Sequence, residues 1–78
     1  LIVGSRLEQL KKMLETEPDD SFLNYALALE YAKANDLKKA IQLIEAIIVR
    51  DKNYLGAYYE LGKYYELSEQ AQLAVDIY

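Results

Sequence analysis

The 78-residue chain contains no cysteine, no histidine and no tryptophan, and it has one proline and three glycines. Without cysteine there is no disulfide, no thiolate nucleophile and no zinc site of the Cys/His type, and a reducing, cytoplasmic setting is the expectation. The serines Ser5, Ser21 and Ser68 are scattered, so no nucleophile and base can be paired. Gly4, Gly56 and Gly62 form no phosphate-binding loop. No catalytic residue, cofactor or metal is therefore expected, and the chain reads as a non-enzyme. No apolar run approaches the roughly 20 residues that cross a bilayer, and no membrane partner is expected. Thirteen acidic against nine basic residues give a net charge of −4, which opposes a phosphate backbone and disfavours nucleic acid as a partner.

What remains is rich in Ala, Leu, Ile, Glu, Lys and Gln, a composition that favours consecutive helices. A domain of this size has a core supplying only about 3–5 kcal/mol unless something reinforces it. Residues 1–5 lack a start methionine and a basic leader and read as a flanking segment or remnant, or as the end of an earlier helix, rather than a signal peptide. From Arg6 to Glu17, Leu7, Leu10, Met13 and Leu14 recur at helical spacing until Pro18-Asp19-Asp20 breaks the pattern. A second helix is predicted from Ser21 to Ala34, started by Asp19 and Asp20 and ended by Asn35-Asp36. The third, Leu37 to Arg50, carries Leu37, Ala40, Ile41, Ile44, Ile47 and Ile48 on one stripe, with Asp36 as its cap. Asp51-Lys52-Asn53 leads to a fourth from Tyr54 to Ser68, and Glu69 to Tyr78 is expected to begin a fifth.

Sliding the chain on itself by 34 residues (25 to 59) aligns Tyr25 with Tyr59, Leu27 with Leu61, Tyr31 with Tyr65 and Ala40 with Ala74. Ala28 meets Gly62, Leu37 meets Ala71, Ile41 meets Val75 and Leu43 meets Ile77, each keeping its apolar character. Helical periodicity alone produces chance matches, so the offset is the informative part. Alanine or glycine at Ala28, Ala40, Gly62 and Ala74 is expected to let helix backbones approach, with Leu27, Tyr31, Leu61 and Tyr65 filling the space beside them. Tyr31, Tyr58 and Tyr65 are assigned to the core.

The second unit reads Tyr58, Leu61-Gly62, Tyr65, Ala74 and Tyr78; the first reads Asn24, Leu27-Ala28, Tyr31, Ala40, Ile44 and Ile47. These positions and their spacing resemble the tetratricopeptide repeat family. Asn24 departs from the family's aromatic, and Lys52 stands where proline is common. Leu10, Met13 and Pro18 match the end of an earlier unit, although Arg6 replaces its alanine. The resemblance implies an all-α, right-handed solenoid of antiparallel helix pairs. Residues 6–20 are the closing helix of a preceding repeat, 21–54 one unit, and 55–78 a second that is incomplete at its end.

By the same resemblance the first helix of each unit lines a concave groove, here Phe22, Tyr25, Leu29, Tyr59, Lys63 and Glu66, where a protein or peptide binds. Tyrosine gives large contact area at low entropic cost, which suits such a surface. Phe22 and Leu29 also fit simple packing against a neighbouring helix, and both readings stand at this point. The family's clamp for a terminal carboxylate needs several basic residues, and only Lys63 is available. Glu15, Glu17, Asp19 and Asp20 lack calcium-loop spacing and read as helix-end and turn residues.

The leading function is a non-catalytic scaffold or adaptor that holds a peptide or helix. Two alternatives remain. One is self-association into a homo-oligomer through open solenoid ends, at Leu7, Leu10 and Leu14 or at Ala71, Ala74, Val75 and Tyr78. The other is a regulatory appendage of a larger enzyme.

Overall fold

A computed structural model describes residues 5–77, with side chains described through residue 69. Among the described residues there are four helices, α1 (Arg6–Thr16), α2 (Ser21–Lys33), α3 (Leu37–Arg50) and α4 (Leu55–Ile77), and no strand. Three starts carry acceptors placed as N-caps. Ser5 Oγ accepts from the Glu8 amide at 3.2 Å, Asp20 Oδ1 from Leu23 at 2.9 Å and Asp36 Oδ1 from Lys39 at 3.2 Å. The α2–α3 turn closes through Asn35 at φ 65°, a left-handed conformation that asparagine tolerates far better than a branched residue.

Each helix doubles back on its sequence neighbour, so that α1 packs on α2, α2 on α3 and α3 on α4. α2 meets α1, α3 and, through Tyr25, the start of α4, and it is apolar around its circumference, whereas α3 keeps one apolar stripe. Leu10, Ala26 and Leu27 join α1 to α2, with Leu7 and Leu14 packed around them. The larger cluster is built on Ala28, Ala40, Ile44, Ile47, Ala57 and Tyr64. Ala28 and Ala40 are fully buried, as the expected close approach requires. Polar links also tie the ends of helices together, with Ser21 Oγ donating to Asp51 Oδ2 at 3.2 Å and Arg50 pairing with Asp19 at 3.8 Å.

Four expectations are corrected. Among the described residues there is no fifth helix, because α4 runs on to Ile77 through Ser68-Glu69-Gln70, which holds neither proline nor glycine to stop it. Gly62 therefore meets no close neighbour, and a Cβ there would find nothing within 4 Å. Tyr58 and Tyr65 are 46% and 44% exposed rather than in the core, and Tyr64 takes the buried place at 1%. Their hydroxyls bond locally, Tyr58 to the Lys52 carbonyl at 3.0 Å and Tyr65 to the Glu45 carboxylate on α3. Finally, Leu7, Leu10 and Leu14 are not an uncovered face, since α2 packs on them.

Candidate binding groove

Helices α2 and α4 flank a concavity of about 340 Å³. From α2 it receives Leu29, Ala32 and Lys33, which share one helical face. From α4 it receives Glu60, Lys63, Tyr64 and Leu67, again at three- and four-residue spacing. The two helices are held apart and in register by Tyr25. Its ring lies 5.4 Å from that of Tyr54 at a 50° tilt, and a Cβ on Gly56 would sit 3.5 Å from the same ring. Tyr25 is thus a half-buried brace at the first turn of α4.

The polar part of the wall is unusual. The Glu60 side chain is 8% exposed and pairs with Lys63 Nζ at 3.6 Å, but its Oε2 has no hydrogen-bond partner among the described residues. Lys63 Nζ also lies 5.8 Å from the centre of the Tyr59 ring. The Tyr64 hydroxyl sits beside the Glu60 carboxylate, which is placed to accept from it, and both Glu60 Oε2 and that hydroxyl are shut off from solvent. Burial first, and then that carboxylate, push the Tyr64 phenol well above its ordinary range. Burial, with Glu60 next, likewise raises Tyr25. Lys33 is drawn to Glu30 at 3.3 Å, and Glu30 also takes Arg6 of α1 at 3.5 Å.

Of the residues predicted to line a groove, Leu29 and Lys63 share the concavity, and Tyr59 adjoins it through Lys63. Tyr59 and Phe22 are 70% and 62% exposed, Glu66 is exposed outside the lining, and Tyr25 supports the wall. Sequence reasoning missed Ala32, Lys33, Glu60, Tyr64 and Leu67. The available signal was the four-residue spacing of Glu60 and Tyr64 on a predicted helix, hidden by the assignment of Tyr58 and Tyr65 to the core. Ala71, Ala74, Val75 and Tyr78 lie outside the described side chains.

A second hollow of about 290 Å³ lies between α2 and α3, lined by Leu27, Tyr31, Lys39, Gln42 and Leu43. The Tyr31 ring there carries Lys39 Nζ at 5.3 Å and Lys11 Nζ at 5.9 Å, and none of the predicted groove residues takes part. The acidic residues near the first turn act at helix ends: Asp20 caps α2, Glu17 closes α1 and Asp19 pairs with Arg50. Among the described residues no three side chains of metal-binding type converge, and no helix is long and apolar enough to cross a membrane.

Helices that double back on one another with a 34-residue offset in sequence (25 to 59), with buried alanines at the seam and a concavity between α2 and α4, define an all-α helical-repeat module. A tetratricopeptide repeat family model matches residues 3–75, and the chain belongs to that family. Repeats of this family generally mediate protein–protein interaction. No curated protein and no solved structure matches the chain.

Proposed function

We propose that the chain is a non-catalytic interaction module that holds a peptide or helix of a partner protein against α2 and α4, with residues 21–54 and 55–78 acting as two repeat units behind one groove. The observation that carries this reading is that Leu29 and Lys63, from different units, line one concavity while the 70%-exposed Tyr59 ring stands next to it. Exposed aromatic surface beside an apolar hollow has the character of a partner site. Because Phe22 and Tyr59 are exposed, a Phe22→Ala, Tyr59→Ala double variant keeps its helical circular dichroism and loses the partner captured from the source cell. Undiminished capture by the folded variant contradicts the reading.

A second reading is self-association along α4. It is favoured by the exposure of Tyr58, Tyr65 and Leu67 and by the open space at Gly62 on that helix. Light scattering would then show a mass that rises with concentration, and a constant monomer mass rules this out.

A further inference from the structure

Three ion pairs stand at the α2–α4 concavity or one contact behind it, and all three are built the same way. The Glu30 and Glu60 side chains are 16% and 8% exposed, whereas those of Arg6, Lys33 and Lys63 are 62%, 74% and 49% exposed. The carboxylates lie underneath and the cations face solvent. Glu30 is shared between Arg6 at 3.5 Å and Lys33 at 3.3 Å, so three cations stand over two carboxylates. The surface that a partner meets here is therefore positive, although the chain as a whole carries −4.

The pairs leave these cations able to bind. An ammonium has three N–H donors, and one carboxylate does not exhaust them. Lys63 lies 3.6 Å from Glu60 and 5.8 Å from the centre of the Tyr59 ring, yet half of it stays in water. Exposed ion pairs are weak, so adding a second carboxylate in place of water costs little. The polar groups of the wall itself are closed, because Glu60 Oε2 and the Tyr64 hydroxyl are shut off from solvent against each other. Between the two lysines the concavity presents apolar surface, Leu29 and Ala32 from α2 and Leu67 from α4. Its volume of about 340 Å³ has room for a large apolar side chain.

We propose that the concavity takes an apolar anchor with acidic flanks: a large apolar side chain of the bound peptide sits on Leu29, Ala32 and Leu67, and acidic residues beside it meet Lys33 on α2 and Lys63 on α4. This rests on the groove reading above and gives its partner a chemistry. The contacts are to side chains, so an internal segment of a partner serves as well as a chain end. Lys33, which repeat spacing did not single out, becomes a specificity residue.

The test uses the full chain and a phage library of random dodecamer peptides, followed by fluorescence anisotropy on the selected sequences as C-terminal amides. Selected peptides share a large apolar residue with Glu or Asp nearby. Replacing the apolar residue with Ala weakens binding about 10- to 100-fold. Replacing the acidic residues with Gln or Asn weakens it about 3- to 20-fold, and raising salt from roughly 0.05 to 0.5 M weakens the acidic peptide while sparing its Gln or Asn version. Lys33→Gln leaves Glu30 paired with Arg6, weakens the acidic peptide about 2- to 5-fold and adds little to the loss already caused by the amide exchange. The peptide exchanges leave the protein untouched, so their result stands whatever the variant does to folding. Peptides that bind without acidic residues, or that tolerate Gln and Asn in their place, overturn the acidic-flank proposal while leaving the groove. Acid-dependent binding that is indifferent to Lys33→Gln in a folded variant places the carboxylate elsewhere and also overturns it. A selection that yields no binding peptide overturns the groove reading as well.

Discussion

Asn24 Nδ2 donates to the Pro18 carbonyl at 3.0 Å and to the Asp20 carbonyl at 2.8 Å, so one side chain closes the turn between α1 and α2. The residue that breaks the family pattern at this position fastens α1 to α2. Asn24→Leu keeps volume but removes both side-chain hydrogen bonds across this turn, and urea denaturation is expected to show a loss of about 1–3 kcal/mol. A loss below about 0.5 kcal/mol contradicts the fastening role.

Ala40 is fully buried on α3, in the cluster that also holds Ala28 of α2. Ala40→Glu places both extra volume and a charge in that cluster, and a loss above about 3 kcal/mol is expected, enough to unfold a domain of this size. Glu8→Ala, at an exposed position of α1, shifts stability by less than about 0.5 kcal/mol. Equal melting shifts in the two variants contradict the packing account.

Gly62 lies within α4 with open space around its Cα. Gly62→Ala is expected to stabilise by about 0.5–1 kcal/mol through helix propensity alone, raising the melting temperature by a few degrees. A destabilised variant means that a neighbouring helix does cover this position, as the repeat pattern alone demands.

Much of the fold was legible because the features that set it are local and chemical. Asp20 and Asp36 announce helix starts, Pro18 and Asn35 mark turns, and the alanines Ala28 and Ala40 mark where helices touch. The α4 face was not legible. Repeat logic supplied a returning helix over Tyr58, Gly62 and Tyr65, but the Ser68-Glu69-Gln70 stretch contains no breaker and α4 continues as one helix. Of the groove, Leu29 and Lys63 follow from the family's register. Glu60 and Tyr64 do not, because their burial depends on Ala57 and Ala28 leaving room beside α2, a tertiary fact invisible to spacing.

Alkaline pH should weaken the fold. The Tyr64 phenol is raised above its ordinary value of 10.0, so the folded state holds its proton more tightly than the unfolded chain does. Stability from this group is fully present below about pH 10 and declines as pH rises toward the folded-state value. Urea midpoints measured upward from about pH 9 should fall, and Tyr64→Phe should flatten the fall without abolishing it, since Tyr25 and Tyr54 are raised as well. Identical profiles for the two proteins contradict the assignment.

The central claim, that a peptide binds between α2 and α4, is tested most directly by mapping amide chemical-shift changes while a selected peptide is titrated into the full chain. The account predicts that the largest shifts fall at Leu29, Ala32, Tyr59, Glu60, Lys63 and Tyr64. Shifts centred on α1, or on the Tyr31, Lys39 and Leu43 hollow, with the α2–α4 concavity unmoved, would contradict it.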